Sequence, residues 1–431
     1  MVLLCFIWFS ALYFGTYKLA SYQDFFAPLK FLSVKYAVTS LPFIFYIYLF
    51  PENFFRSILR VCNTTLDDAF LQYTYVQTAA FLCLILGVVV VNLRKKRDAL
   101  LLLPVYNYKN IKVLAFCLFC AGIIVYTVYL SRIGGIVNLL SNLDKRIELQ
   151  SGQYILKLLP ILYFPALLLL ICIKLRNKTA DKIAFVFYSI TAILIFSSFG
   201  ARKNALIFII TIIVAYHYIV NKIKFNRTTF LAFASLSLFV ALYILIIPVL
   251  RTGNSEFDNG HKSKLRVKNL MYDTSYTFID IFAANYYNSQ NAWHLKGFFD
   301  PVTVALSKGD KAMLPPVDQG AYFSSIVKFK KHFEPSVPRS QLSGSWPIEN
   351  FGFAFANFQW LGIVVFFFLQ GAIFSLSYNH LSKQPGNPFL IAFYVFMIFN
   401  FNFSNLRLIQ FISTTPLMYL GSILYNKFCR K

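Results

Sequence analysis

Residues 71–93 read LQYTYVQTAAFLCLILGVVVVNL and are followed at once by the basic cluster RKKR at 94–97. The apolar stretch has no charged residue, and about 20 such residues are enough to cross a bilayer as a helix. Basic residues beside a span mark its cytoplasmic end. This stretch therefore predicts an α-helical membrane span whose carboxyl end lies in the cytoplasm.

The composition of the whole chain agrees with that prediction. Of its 431 residues, 58% are hydrophobic and 13% are charged, whereas a soluble domain has about 25% charged residues. The net charge is +24, which on a soluble protein would suggest a nucleic-acid partner. Because the mean hydropathy is +0.60, we interpret the basic excess as a signal that orients membrane spans, and we expect no nucleic-acid partner.

The apolar runs predict an all-α polytopic integral membrane protein with about 11 transmembrane helices. Residues 1–250 would hold eight spans, residues 251–352 a large outer loop that caps the bundle, and residues 353–431 three spans and a cytoplasmic tail. The predicted spans are Val2–Tyr17, Leu29–Phe50, Leu71–Leu93, Ile111–Leu130, Tyr154–Ile173, Ala184–Phe199, Asn204–Val220, Phe230–Leu250, Phe353–Ser377, Pro388–Phe403 and Leu408–Tyr425.

The acidic residues indicate which side carries any chemistry. Of the 17 Asp and Glu residues, only Asp24, Asp98 and Asp181 fall on the cytoplasmic side of this layout, and none falls within a span. Lys157 is the charged residue that we place inside one. Carboxylates within spans are typical of ion-coupled pathways, so this distribution argues against an ion-coupled transporter. We expect the functional groups at the outer face.

A basic pair follows the sixth predicted span in the sequence FGARKN, residues 199–204. Gly200 and Ala201 permit a sharp turn, which puts Arg202 and Lys203 at the amino end of the next helix, where backbone N–H groups attract anions. The pair could bind a diphosphate. Alternatively, its side chains could extend to the phosphates of membrane lipids.

Two outer connections, residues 131–153 and 251–352, exceed about 12–15 residues, the length above which loops without secondary structure are uncommon. The first contains Arg146, which could belong to a site or to an ordinary loop ion pair. The second begins at Arg251 and closes on PRSQLSGSWPIENFG, which includes Arg339 and Trp346. We expect this connection to be partly helical. Trp346 could stack on a sugar, although an interfacial anchor is the commoner role of such a tryptophan.

The end of the long connection supplies a carboxylate at its junction with the ninth span. Glu349 could accept a proton from a hydroxyl if partial burial raises its pKa, or it could be a first-turn acid of the helix that follows. Asn350 lies beside it. His261 and His332 are the reserve candidates for a base.

These features together resemble the O-antigen polymerase family, the Wzy-type oligosaccharide repeat-unit polymerases. The resemblance covers most of the chain as layout, and few residues anchor it. The matching residues are Gly134, Gly135, Arg146 and Gly152, then Ser198, Gly200 and Arg202, then Arg251, and finally Pro347, Glu349, Asn350, Phe351 and Gly352. The family often has a second glycine soon afterwards, where this chain reads FANFQWLG, so Gln359 and Trp360 receive no role.

The resemblance implies a GT-C-like fold and a glycosyltransferase that needs no metal or other cofactor. Such an enzyme joins undecaprenyl-diphosphate-linked glycans, donor and acceptor, at the periplasmic face of the bacterial inner membrane, with a chain-length regulator as partner. Glu349, Arg202 and Arg146 would be catalytic. The diphosphate and glycan would contact Arg251, Arg339, Lys203, Asn350 and Trp346. Fixed arginines suit this chemistry because a guanidinium neutralises a departing diphosphate and keeps its charge.

Two other functions remain open. A lipid-linked glycan ligase shares the spans, the long loop and the arginines, but it uses a different acceptor. A lipid-linked oligosaccharide flippase belongs to another class and should have charged residues within its spans and short loops on both sides. Apart from Lys157, our layout shows neither of those flippase features.

Overall fold

The computed structural model describes residues 1–21, 23–93, 107–142, 149, 153–199, 202–223, 268, 271–272, 275–307 and 311–429. Within these residues the regular structure is entirely helical. The main helices are α1 (Val2–Leu19), α2 (Pro28–Leu49), α3 (Leu66–Leu93), α4 (Tyr108–Arg132), α5 (Phe164–Arg176), α6 (Thr179–Ser198), α7 (Arg202–Ala215), α8 (Thr277–Tyr286), α9 (Gly320–Phe329), α10 (Asn350–Lys383), α11 (Pro388–Asn400) and α12 (Asn405–Cys429).

In the described part of the chain, eight helices are long and apolar enough to cross a membrane. Seven of them correspond to the first seven predicted spans, and the eighth is α10. The fifth, Ile155–Arg176, includes the 3-10 helix that precedes α5, and the seventh, Lys203–Val220, includes the π-helix that follows α7. A multi-pass membrane protein is therefore confirmed. The count of 11 is not confirmed. The predicted span Phe230–Leu250 lies outside the described residues, and neither α11 nor α12 is among the eight.

The chain folds into two compact units, each built from separate segments. Unit 1 comprises Met1–Arg97, Val267–Tyr378 and Asn400–Phe411. Unit 2 comprises Asp98–Arg266, Asn379–Phe399 and Ile412–Lys431. Each unit thus combines segments from more than one of the three divisions expected from the sequence.

Within unit 1, helix α3 contacts both α8 and α10. The amide of Asn285, in α8, donates a hydrogen bond to the carbonyl of Ala69 near the start of α3. Further along α3, Gly87 packs against the backbone of α10, and Gly371 of α10 packs against the carbonyl of Leu84. Glycine is required at both positions because any side chain would collide with backbone atoms.

Lys157 lies in the candidate span Ile155–Arg176, as expected, but α2 contains two further lysines, so Lys157 is not the sole charged residue within a span. Lys30 is buried, and its ammonium donates to the carbonyls of Ser21 and Gln23 at 3.0 and 2.6 Å. These carbonyls replace the water that a buried ammonium would lose. Lys35, about one turn further along α2, lies close to the charges of the candidate site described below.

Helix α10 is a helical hairpin and not one straight span. Its helical geometry is interrupted at Phe358 and Gln359, which separate a short arm, residues 350–357, from a long arm, residues 360–383. The rings of Phe353 and Phe366 lie 5.7 Å apart, and the amide of Asn350 donates to the amide of Gln370 at 2.9 Å. These pairs can meet only if the short arm folds back along the long arm, since a straight helix would separate Asn350 from Gln370 by about 30 Å.

The turn of this hairpin is made without glycine or proline. Gln359 has φ 50° and ψ −128°, a conformation that favours glycine. The backbone N–H groups of Trp293 and His294 donate to the carbonyls of Ala356 and Asn357. These bonds satisfy groups that the end of a helix leaves without partners, and they hold the turn in place.

We expect Gln359→Gly to stabilise the protein by about 1 kcal/mol, because glycine removes backbone strain of about 1–3 kcal/mol and loses more chain entropy on folding. Thermal unfolding of the purified protein in detergent would measure the change. Gln359→Val is the matched control and should lower the unfolding temperature, because a β-branched side chain resists positive φ. Equal effects of the two substitutions would contradict the strain.

The chain reverses again between α11 and α12. Helix α11 has 13 residues and a length of about 20 Å, too short for the roughly 30 Å hydrocarbon core. Residues 401–404 are not helical. Within unit 1, the rings of Phe401 and Phe411 lie 5.0 Å apart. Within unit 2, Phe389 lies 6.1 Å from Tyr425. The two helices are therefore antiparallel, with their turn at 401–404.

Candidate functional site

Glu349 lies at the start of the short arm of α10, where it forms a largely buried ion pair. One carboxylate oxygen is 2.9 Å from a terminal guanidinium nitrogen of Arg407, and the other accepts a hydrogen bond of 2.6 Å from the amide of Asn402. The Arg407 side chain is 8% exposed and that of Glu349 is 26% exposed. The two side chains therefore form a charge-assisted contact that links the start of α10 to the first turn of α12.

Side-chain amides fix the backbone around this ion pair. Asn350 donates to Gln370, and Gln370 donates to the carbonyl of Phe401 at 2.9 Å. The oxygen of the Asn350 amide accepts from the N–H of Phe403 at 3.3 Å. Buried amides that satisfy one another hold a single arrangement. This network therefore fixes both arms of α10 against the 401–404 turn that carries Asn402.

Further ionisable groups of unit 1 lie within electrostatic range of the ion pair. Lys35 of α2 lies close enough to respond to the charges of both Glu349 and Arg407. Arg407 also responds to Tyr276, which precedes α8, and to Asp318, which precedes α9. Direct contacts thus join the start of α10 to residues 402–407, and groups of α2 and of the segments before α8 and α9 lie within electrostatic range of them.

Two aspartates near the pair have perturbed acidity. Burial, and then the negative charge of Glu349, raise the pKa of Asp280 well above its usual value. Burial also raises the pKa of Asp318, although Ser345 and the Gly320 N–H donate hydrogen bonds to that carboxyl and oppose the shift. Arg407 and Arg339 act on the Asp318 carboxyl in the direction opposite to burial. Carboxyls of perturbed pKa are frequent in catalytic sites.

Arg339 and Trp346 belong to unit 1, but the structure gives them different environments. Arg339 is exposed and donates to the carbonyl of Gly344 at 2.9 Å. The ring of Trp346 packs edge to face against Phe278 of α8, at 5.2 Å between centroids. Trp346 therefore helps to hold α8 in place, and Arg339 lies within electrostatic range of Asp318.

The remaining four predicted site residues lie in unit 2 or outside the described residues. Arg202 and Lys203 begin α7 in unit 2, which agrees with their expected place at the amino end of a helix. Arg146 and Arg251 lie outside the described residues. Among the eight predicted site residues, Glu349 and Asn350 are the pair that the described residues bring together through contacts with one segment, 401–407.

The sequence interpretation missed Arg407, Asn402, Asp280 and Lys35. A signal for two of them was present, because the stretch NFNFSNLR at 400–407 interrupts an apolar run with polar residues. Such interruptions indicate a break in a membrane helix, and a break is accepted where it lines a site or is buried in protein. Asp280 gave no such signal, since it lies alone among apolar and small residues.

Among the described residues, no three His, Cys, Asp or Glu side chains are grouped closely enough to hold a metal ion. In comparisons with known proteins, the chain matches no family model, no curated protein and no solved structure. The candidate function therefore depends on the chemistry of the residues themselves. They provide a fixed carboxylate, a buried guanidinium, an amine and a carboxyl of raised pKa.

Proposed function

We propose that this chain polymerises undecaprenyl-diphosphate-linked oligosaccharide repeat units at the periplasmic face of the bacterial inner membrane. In the reaction, the acceptor hydroxyl attacks the anomeric carbon of the donor glycan. Undecaprenyl diphosphate leaves with the electron pair of the broken bond. The reaction needs cations for the diphosphate and a base for the hydroxyl, and we propose that it needs no metal.

The Glu349–Arg407 ion pair is the observation that supports this proposal most directly. A largely buried guanidinium and carboxylate are costly to desolvate, and here they lie with Lys35 and Asp280 in a chain of long apolar helices. A substrate with a lipid tail and an anionic head would bring its reacting atoms to such a place. Arg202, Arg146, Arg251 and Arg339 remain the proposed outer-face cations.

The proposal is tested with purified protein and lipid-linked repeat units in detergent containing chelator. We expect a ladder of lengthened glycans and release of undecaprenyl diphosphate. Arg202→Ala should lower the transfer rate about 100-fold, because one donor to a developing negative charge contributes about that much, and its abundance should be unchanged. Arg339→Ala is the comparison, since Arg339 is exposed and should have the smaller effect. A normal ladder from Arg202→Ala would remove Arg202 from the mechanism.

The identity of the acceptor distinguishes a polymerase from a ligase. If the protein extends lipid-linked repeat units, it is a polymerase. If it transfers the glycan only to another lipid acceptor, such as a lipopolysaccharide core, the protein is a ligase. Offering both acceptors in the same assay decides between these outcomes.

One observation favours the flippase as a second candidate. Ionisable groups buried in a membrane protein are common along transport pathways, and Lys35, Asp280 and Glu349 lie within such a cluster. A transferase should form its product in detergent, where no transmembrane gradient exists. A transporter should form no new glycosidic bond there and should move lipid-linked glycan only in sealed vesicles.

A further inference from the structure

Helix α8 presents two chemically different faces. Its apolar face carries Phe278 and Phe282, whose rings pack against Trp346 at 5.2 and 6.2 Å between centroids. Asp280 lies on another side, four residues after Tyr276. Because residues four apart share a face of a helix, Tyr276 and Asp280 point in a similar direction.

That polar side is directed toward the ion pair. Tyr276 lies within electrostatic range of Arg407, and Asp280 lies within range of Glu349. Tyr276 and Asp280 thus interact with different members of the ion pair, and those two members, Arg407 and Glu349, lie 2.9 Å apart. Asp280 therefore belongs to the same site and approaches it from the α8 side.

One carboxylate oxygen of Asp280 lacks a hydrogen-bond partner in the described part of the chain. This atom, Oδ1, is fully buried. The side chain as a whole is half-buried, so part of it remains accessible. By contrast, both oxygens of Glu349 already have partners, Asn402 and Arg407. If Glu349 took a proton, it would have to weaken one of those bonds.

The hydroxyls of three tyrosines and the Glu349 carboxylate lie within electrostatic range of Asp280. The ionisable groups facing this region are Tyr13 of α1, Lys35 and Tyr36 of α2, Tyr73 of α3, Tyr276, and the Glu349–Arg407 pair. Tyr13 and Tyr73 are buried and pack against Phe9 at 5.6 and 5.7 Å between ring centroids, whereas Tyr36 is half-buried.

We propose that Asp280 is the base that takes the proton from the acceptor sugar hydroxyl, and that the Glu349–Arg407 pair positions the groups around it. This inference rests on the proposed function. The hydroxyl oxygen forms the new bond to the anomeric carbon, its proton passes to the Asp280 carboxylate, and the bond to the diphosphate breaks with its electron pair leaving on the diphosphate oxygen. Asp280 returns the proton to water before the next transfer.

The first experiment compares Asp280→Asn with Glu334→Gln in the transfer assay. Removal of a general base should lower the rate about 100-fold or more. Glu334 is an exposed acid paired with Lys296, so its variant should keep a rate within about twofold of the unmodified chain. Transfer by Asp280→Asn at the normal rate would overturn the inference and leave the proposed function intact.

The dependence of the transfer rate on pH distinguishes a base from a residue with a purely structural role. A base acts only when deprotonated, so the rate should fall as pH decreases through the pKa of Asp280, above the ordinary aspartate value of about 3.9. Asp280→Glu should retain part of the rate with this limb displaced. An unchanged limb in Asp280→Glu would overturn the inference, even if Asp280→Asn did not fold.

Stability gives a separate measurement that needs no substrate. A raised folded-state pKa means that folding favours the protonated acid, so its stabilising effect is lost as pH rises through the folded pKa. Asp280→Asn should therefore raise the unfolding temperature at pH 8 by about 2–4 °C and have less effect at pH 4. If the unmodified chain transfers no glycan but Asp280→Asn still raises the unfolding temperature at pH 8, the proposed function is wrong and the burial of Asp280 is confirmed. If the shift is absent, the placement of Asp280 is wrong.

Discussion

Arg407→Leu should destabilise the protein by about 3 kcal/mol and abolish glycan transfer. The substitution leaves the Glu349 carboxylate without its cation. Breaking a buried pair by removing one partner costs about 3–5 kcal/mol, and we expect the low end because the Glu349 side chain is 26% exposed. The loss should appear as a lower unfolding temperature and a lower yield of monodisperse protein in detergent.

The double variant Arg407→Leu with Glu349→Gln is the matched control. It removes the charge that the single variant leaves unpaired, so most of the lost stability should return, while transfer stays low. The difference between the double variant and the sum of the single variants measures the coupling of the two side chains. Strictly additive losses would mean that Glu349 and Arg407 do not form the pair described.

The second large effect is expected where α3 and α10 approach each other backbone to backbone. A Cβ atom at Gly371 would collide with the Leu84 carbonyl oxygen, and one at Gly87 would collide with the Phe368 carbonyl oxygen. Overpacking of a well-filled interior costs about 1–3 kcal/mol, and a backbone oxygen cannot rotate away. We therefore expect Gly371→Ala to lose at least about 3 kcal/mol and Gly87→Ala with Gly371→Ala not to fold.

Gly15→Ala supplies the control for this prediction. Gly15 lies in α1, is exposed, and has nothing within 4 Å of the position of an added Cβ. Alanine favours a helix over glycine by up to about 1 kcal/mol, so this variant should be neutral or slightly more stable. Comparing the variants by thermal unfolding checks the contact. Equal stability of Gly15→Ala and Gly371→Ala would show that α3 and α10 are not in close contact.

The sequence predicted the long helices well because their signal is local. A run such as residues 71–93 has to be a span, whatever surrounds it, since length and apolarity alone decide. The same reasoning fails at α10, because residues 350–383 are apolar on both sides of the reversal and Gln359 is not a residue that turns favour. Backbone hydrogen bonds from Trp293 and His294 hold that turn, and these residues are distant along the chain.

The candidate site was predicted in part for a similar reason. Glu349 and Asn350 stand out in sequence because they are polar residues beside an apolar run. Arg407 and Asp280 are distant from them along the chain, and their roles depend on which surfaces meet after folding. Local patterns contain no information on such meetings, except where a polar interruption such as NFNFSN at 400–405 shows that a helix must break.

The ion pair also determines the order in which the protein can be completed during synthesis. The ribosome makes Glu349 before Asn402 and Arg407, and both arms of α10 and the whole of α11 are made in between. Until residue 407 has been made, the nascent chain therefore carries a Glu349 carboxylate that lacks the Arg407 guanidinium. Chains released before residue 400 would keep this uncompensated acid, so they should be recognised as unfinished by membrane quality-control proteases.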